Sequence, residues 1–155
     1  MDSDGGKPNE EGARIALAFF GLVRYGSLTV DSVETNIVGV LRSNGLRFDS
    51  FCHTNDVDSV HNPRSNELDV PVKDGATYAR LLGRTACCVE AQATHIDPQI
   101  DVNDYATHGD PWKDGYVSLQ NLLRQLYSLR RVTAMWSQSG VEYDAVLCLR
   151  SDLVY

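Results

Sequence analysis

The sequence predicts an α/β domain in which helices flank a mainly parallel sheet. Three observations predict it: a continuous apolar run over residues 14–20, an amphipathic helix pattern after it, and a strand-like run after that helix. Continuous apolar runs are typical of strands covered on both faces, as in a parallel sheet. A strand, a helix and a second strand then form a right-handed crossover unit.

The first half of the chain supplies this unit. The run RIALAFF at residues 14–20 predicts the first strand. Residues 29–44 predict a helix, because their apolar positions recur at the helical period and Asn44-Gly45 provides a left-handed stop. These positions are Val30, Val33, Ile37, Val40 and Leu41. Residues 46–53 predict the second strand, since most of their apolar residues share one parity.

Polar stretches separate the later elements. Residues 54–74 contain two prolines and predict a long connection, which in a compact domain is often functional or disordered. A short helix is predicted over residues 76–82 and a third strand over residues 85–91. Residues 93–115 predict a second irregular stretch.

A long helix and a final strand complete the pattern. Residues 116–139 predict the helix, with Ser128 opposite an apolar face. The apolar face contains Leu119, Leu122, Leu123, Leu126 and Leu129. The run at residues 143–149 predicts a buried strand, which needs neighbours or cover along its edges. We therefore expect the protein to continue beyond residue 155; the alternative is a small complete domain whose last strand lies at an edge.

The composition of the chain restricts the classes of partner that we expect it to bind. The net charge of −7 argues against nucleic-acid binding and against binding to an anionic membrane. Residues 1–13 predict a disordered acidic leader and residues 14–155 a single α/β domain. No signal peptide is evident, and no apolar run reaches the roughly 20 residues that span a bilayer. The four scattered cysteines predict buried thiols and, with the missing signals, favour the cytoplasm.

The loop after the first strand is one candidate binding site. Ligands of open α/β sheets bind beyond the carboxyl ends of the strands. Gly21 allows close backbone approach, and Arg24 offers a guanidinium fork that suits phosphate oxygens. The loop is neither a dinucleotide fingerprint nor a Walker loop, so contact with a nucleotide or diphosphate and a plain tight turn both stay open.

The residues after the last strand are a second candidate. Asp152 could hold Mg²⁺ or Mn²⁺ against a diphosphate, and Arg150 could neutralise phosphate charge directly. A turn capped by Asp152 is the alternative. His53 and Asn55, at the end of the second strand, could line the same cleft, although His53 could instead bond only to backbone. Trp112 and Trp136 are expected to be packing residues rather than sugar platforms.

Several motifs in a fixed order resemble those of predicted glycosyltransferase-like proteins from algae, large DNA viruses and bacteria. The resemblance covers most of residues 14–155, with the middle loops weakest. The motifs are F-x-G-x-x-R from Phe19, V-D-S-V-x-x-N-I from Val30, F-x-x-F-x-H-T from Phe48, S-L-x-x-V-T-x-x-W from Ser128 and E-Y-D-x-V-L-x-L-R-x-D-L-x-Y from Glu142.

The resemblance implies a GT-A-like fold, which is a Rossmann-like sheet that binds a nucleotide sugar. It implies transfer of a sugar from a nucleoside diphosphate to the hydroxyl of a glycan or other acceptor. It would place Arg24 beside the nucleotide and Asp152 at the metal and diphosphate position. The chain departs from the D-x-D motif of metal-dependent members, because Arg150 holds the first position. A metal-free mode, a non-catalytic nucleotide-binding module and an inactive fragment therefore stay open.

Overall fold

Four parallel strands form the central sheet, in the spatial order β5-β2-β1-β6. In this computed structural model, which describes residues 12–155, β1 is Arg14–Phe20 and β2 is Arg47–Asp56. The outer strands are β5, Ala86–Ala91, and β6, Ala145–Arg150. The predicted α/β class with a Rossmann-like parallel sheet is confirmed. Residues 1–11 of the predicted leader lie outside the described residues.

Helices cover both faces of the sheet. Helix α1, Gly26–Val33, continues through the π-turn Glu34–Val38 into α2, Gly39–Ser43. With α3, Gly75–Leu82, these segments pack on the face that carries Leu17 and Phe19 of β1.

Helix α4, Val117–Ser137, covers the opposite face, which carries Ala16 and Ala18 of β1. Side chains alternate between the two faces of a strand, so the continuous apolar run of β1 supplies both cores.

The predicted connection over residues 54–74 is wrong in part. β2 continues to Asp56, and a β-hairpin follows, with β3 at Ser59–Asn62 and β4 at Glu67–Pro71. A single 3₁₀ turn, Pro63–Ser65, joins the two strands. Neither strand of the hairpin contains a buried residue, so the sequence lacks the apolar alternation by which a strand is recognised.

The predicted apolar face of α4 is wrong in part: Leu123 is buried and Leu129 packs against the core, but two of its leucines are not covered. Leu122 and Leu126 are 45% and 50% exposed, whereas Ser128 is completely buried against the sheet. The sheet beneath this part of α4 carries polar groups, including His53 and Glu90, and the helix turns hydrogen-bonding side chains towards them. Buried polar groups are tolerated where each forms a hydrogen bond. This hydrogen-bond network, rather than the row of leucines, therefore determines which face of α4 packs on the sheet here.

The last strand, β6, lies at an edge of the sheet. It pairs with β1 on one side, and among the described residues no strand pairs with its other side. Ala145, Leu147 and Cys148 are exposed, whereas the sequence indicates a strand buried along its whole length. The difference follows from the missing neighbour, because side chains of an edge strand lack cover on one flank.

Gly83 joins α3 to β5 at a point where no side chain fits. A Cβ atom at Gly83 would lie 2.6 Å from the Cβ of Cys52 and 2.7 Å from the carbonyl oxygen of Ala86. Gly83→Ala is therefore expected to lower the free energy of unfolding by about 2–3 kcal/mol in a urea titration, as overpacking of a core does. Gly109→Ala is the control: its Cβ meets nothing within 4 Å, so only the strain of a positive φ, about 1 kcal/mol, remains. Equal stability of Gly83→Ala and wild type would contradict this packing.

Candidate anion-binding cleft

The ends of β1 and β6 open onto one crevice. The chain runs outward from β1 to β2 and β5 and then returns to β6 on the other side of β1. Open α/β sheets bind their ligands at such a reversal of strand order, beyond the carboxyl ends of the strands. Gly21 and Arg24 follow β1, and Asp152 follows β6, so three predicted site residues meet here.

Ser151 locks the two strand ends together. Its backbone N–H donates to the carbonyl of Phe20 at 3.0 Å, and its hydroxyl oxygen lies 3.0 and 2.9 Å from the carbonyls of Phe20 and Gly21. Ser151 is completely buried. The relative position of Arg24 and Asp152 is therefore fixed by backbone contacts.

Arg24 forms a bridge between two carboxylates. Its Nη2 donates to Oδ2 of Asp152 at 2.6 Å, and its Nη1 lies 2.7 and 2.6 Å from the two carboxylate oxygens of Glu67 on the hairpin. Burial alone would lower the pKa of Arg24, but the hydrogen bonds to Asp152 and Glu67 raise it above its ordinary value. The guanidinium is thus a fixed positive charge that ties the hairpin to the sheet.

Asp152 accepts from a second arginine. Nε of Arg150 lies 2.9 Å from Oδ1 of Asp152, and Nη2 of Arg150 lies 2.7 Å from Oδ2. Burial would raise the pKa of Asp152, but the bonds from Arg150 and Arg24 hold it below its ordinary value. A hard cation at Asp152 would have to displace two guanidinium groups. The described residues therefore fit a site that neutralises an anion with arginines better than a Mg²⁺ or Mn²⁺ site.

A cleft of about 450 Å³ surrounds this network. Four of its lining residues are arginines and one is an aspartate, in a chain whose net charge is −7. The charged lining residues are Arg24, Arg64, Arg124, Arg150 and Asp152. Walls of one charge sign concentrate oppositely charged ligands in a cleft. The four arginines exceed by one the three carboxylates that pair with them, Glu67, Asp97 and Asp152, so the cleft carries a small positive excess on an acidic protein.

Two arginines of the cleft could not be recognised from the sequence. Arg64 lies on the hairpin turn with its guanidinium carbon 5.3 Å from the centre of the Trp112 ring, and it has no carboxylate partner among residues 12–155. Arg124, on α4, forms two bonds of 2.7 Å to Asp97. Trp112 is 43% exposed and lines the cleft, so it is not the packing residue that the sequence predicts.

Two buried polar atoms in the cleft wall have no hydrogen-bond partner. They are Oδ1 of Asn55, whose residue is 7% exposed, and Oγ of Ser118, whose residue is 8% exposed. Both residues line the cleft. A buried polar atom without a partner costs about 1–3 kcal/mol, and a bound ligand can supply the missing bond. Both atoms lie just beneath the cleft surface with unmet hydrogen-bonding capacity.

The predicted site residue His53 is not among those lining the cleft. His53 is completely buried beneath α4, where Oγ of Ser128 lies 2.8 Å from its Nδ1 and donates to its carbonyl at 2.8 Å. Burial lowers the pKa of His53 more than the nearby Glu90 raises it, so the ring is neutral at neutral pH. Ser128 also accepts the N–H of Gly21 at 2.8 Å, which connects this buried group to the loop after β1.

A second cavity lies on the other side of Arg24. It has a volume of about 390 Å³ and is lined mainly by the α1 N-terminus, the hairpin and α3, including Tyr25, Val70 and Tyr78. The first two residues of α1 line this cavity and not the arginine-rich cleft. Arg24 therefore lines both cavities, and the lining of the second cavity is more apolar than that of the arginine-rich cleft.

His53, Cys88 and Glu90 form a group that could hold a metal ion. One ligand atom from each side chain lies within 4.8 Å of the other two. His53 lies two residues before Asn55 on β2, and Glu90 lies two residues before Gln92, which directly follows β5; Asn55 and Gln92 line the cleft.

Comparison with protein-family models, curated proteins and solved structures finds no match for this chain. None of the helices within residues 12–155 combines the length and the apolarity needed to cross a bilayer.

Proposed function

We propose that the cleft binds the diphosphate of a nucleotide sugar and that the chain is a glycosyltransferase-like protein, which transfers the sugar to an acceptor hydroxyl. One observation carries the proposal: Arg24 and Arg150 converge on one point at the reversal of strand order between β1 and β6. Guanidinium groups bind phosphate oxygens in the same paired manner in which these two hold Asp152.

The remaining lining residues supply contacts for the rest of such a ligand. Arg64 is free of ion pairs among the described residues, so it can meet a phosphate without losing a carboxylate partner. Oδ1 of Asn55 can accept from a hydroxyl group, and Oγ of Ser118 can donate to one or accept from it. Trp112 offers an aromatic face beside Arg64.

The chemistry proposed for this site is stabilisation of the leaving diphosphate by arginines. When a sugar passes to an acceptor hydroxyl, negative charge develops on the departing diphosphate, and fixed positive groups stabilise it. Arg24 and Arg150 are held in place by Asp152, so little reorganisation is needed at that moment. This arrangement corresponds to a metal-free mode.

Binding without turnover is the second candidate, and a specific observation favours it. Three carboxylates at or beside the cleft are held by arginines: Glu67 by Arg24, Asp97 by Arg124, and Asp152 by Arg24 and Arg150. A general base needs a carboxylate that is free to accept a proton from the acceptor hydroxyl. Among residues 12–155 these three do not meet that requirement.

Calorimetric titration of the full chain with UDP- and GDP-sugars, with and without Mn²⁺, tests the proposal. One nucleotide class should bind without the metal, and Arg64→Ala should weaken that binding at least tenfold because a phosphate contact is lost. Arg80→Ala, an exposed arginine on α3 outside the cleft, should bind like wild type. Absence of binding by every nucleotide sugar would contradict the proposal. Release of nucleotide only when an acceptor is present would show that the sugar is transferred and not merely bound.

A further inference from the structure

The His53, Cys88 and Glu90 side chains come together because of strand register. His53 of β2 lies opposite Cys88 of β5, and Asn55 lies opposite Glu90. Residues two apart on a strand point to the same face, so Cys88 and Glu90 both face the layer beneath α4 that contains His53. Nε2 of His53 lies 3.4 Å from Oε2 of Glu90, and Sγ of Cys88 lies 3.7 Å from Oε1 of Glu90.

The hydrogen bonds of Ser128 assign the histidine tautomer. The Ser128 hydroxyl has one proton, which it donates to the carbonyl of His53, and it accepts from the N–H of Gly21. Its remaining lone pair therefore faces Nδ1 of His53 at 2.8 Å, so Nδ1 carries the ring proton. Nε2 is left with a free lone pair directed at Glu90.

That arrangement leaves a buried nitrogen without a partner. Nε2 of His53 belongs to a completely buried residue and makes no hydrogen bond. A bare imidazole nitrogen and a carboxylate oxygen 3.4 Å apart are both electron-pair donors, and a thiol lies beside them. A cation placed between such donors relieves their repulsion and satisfies the buried nitrogen.

The donor set and its spacing suit a borderline transition metal. Imidazole nitrogen, thiolate sulfur and carboxylate oxygen together are ligands of Zn²⁺ and related ions, whereas Mg²⁺ prefers oxygen alone. Bond lengths of about 2.0–2.3 Å to a tetrahedral ion place ligand atoms about 3.3–3.8 Å apart. The 3.4 Å distance between Nε2 of His53 and Oε2 of Glu90 falls in this range, and one ligand atom from each of the three side chains lies within 4.8 Å of the others.

Outer contacts orient the three ligands. Ser128 fixes the ring of His53, the Tyr127 hydroxyl donates to Oε2 of Glu90 at 2.9 Å, and Arg131 donates to Oε1 of Glu90 at 2.6 Å. Metal-binding histidines and carboxylates are normally held by such partners. Each oxygen of Glu90 thus accepts a hydrogen bond from the protein, and Oε2 is the oxygen that lies 3.4 Å from Nε2 of His53.

We propose that His53, Cys88 and Glu90 bind a divalent transition-metal ion of the Zn²⁺ class, which ties β2 to β5 beneath α4. Cys88 binds as the thiolate and releases its proton to solvent when the metal enters. Three protein ligands leave a fourth position for water. The site does not depend on the function proposed for the cleft, because its ligands are separate from the cleft-lining residues.

Titration of the metal-free full chain with Co²⁺ tests the site. The wild type should bind one Co²⁺ per chain, with the visible absorption of tetrahedral cobalt and a thiolate charge-transfer band in the near ultraviolet, and Zn²⁺ should abolish both. Cys88→Ser should remove the charge-transfer band, and Glu90→Gln should weaken binding at least tenfold. Cys148→Ser, which changes an exposed thiol on β6, should leave the spectrum unchanged.

Two results would overturn the site. One is a wild-type chain that binds no stoichiometric Co²⁺ or gives only the pale spectrum of octahedral cobalt. The other is a charge-transfer band that persists in folded Cys88→Ser, as circular dichroism would establish, or that disappears in Cys148→Ser. The absence of a tetrahedral wild-type spectrum overturns the site even if a substituted chain does not fold, and the paired cysteine variants assign the thiolate.

Discussion

Asp152→Asn is expected to lower the free energy of unfolding by about 3 kcal/mol at neutral pH, because it removes the carboxylate on which Arg24 and Arg150 converge. Breaking a buried ion pair costs about 3–5 kcal/mol. We expect a loss at the lower end of this range because the Arg150 side chain is 41% exposed to solvent. Urea titration measures the change.

The loss should depend on pH in a defined direction. The pKa of Asp152 in the folded protein lies below its ordinary value of 3.8. The carboxylate therefore stabilises the fold fully above pH 3.8, and this contribution disappears as the pH falls through the lower folded pKa. Wild type and Asp152→Asn should converge in stability in strong acid.

Glu34→Gln provides the control for this prediction. Glu34 pairs with Arg42 and Arg84, whose side chains are 58% and 46% exposed, and exposed pairs contribute about 1 kcal/mol or less. A loss in Asp152→Asn no larger than in Glu34→Gln would show that the arginine cluster is held by other contacts.

Ser128→Ala is expected to cost about 3 kcal/mol of stability, because one hydroxyl serves three buried groups. They are the N–H of Gly21 and both the carbonyl and Nδ1 of His53, each at 2.8 Å. Each buried polar group left without a partner costs about 1–3 kcal/mol, and some relaxation of the Gly21 loop reduces the sum.

Hydrogen exchange gives a direct readout of the Ser128 contact. The amide of Gly21 should exchange faster in Ser128→Ala than in wild type, beyond what the change in global stability explains. Ser137→Ala, an exposed position at the end of α4, should alter neither stability nor exchange at Gly21. An unchanged exchange rate at Gly21 in Ser128→Ala would contradict the assigned role.

The sequence predicts best those helices and strands that have a strong local pattern of apolar and turn-forming residues. β1 is predicted to the residue, and α3, β5 and α4 are predicted within two residues at each end, because apolar runs and glycine or asparagine stops determine them. The meeting of Arg24 with Asp152 also follows from position, since both come directly after parallel strands.

What the sequence does not predict depends on partners that are distant in the chain. Arg64 enters the cleft because an exposed hairpin folds over it, and Ser128 is buried because His53 lies beneath it. No local pattern marks either residue: Arg64 lies in a polar stretch, and Ser128 lies opposite a leucine stripe. Polar contacts between strands and helices depend on register, which only the assembled sheet defines.

The most direct test of the central claim is a crystal structure of the full chain with the nucleoside diphosphate that binds most tightly. We expect the diphosphate beside Arg64 and Arg150, near Arg24, with ligand hydroxyls beside Asn55 and Ser118. A nucleotide bound elsewhere, with the cleft at the ends of β1 and β6 unchanged, would contradict it.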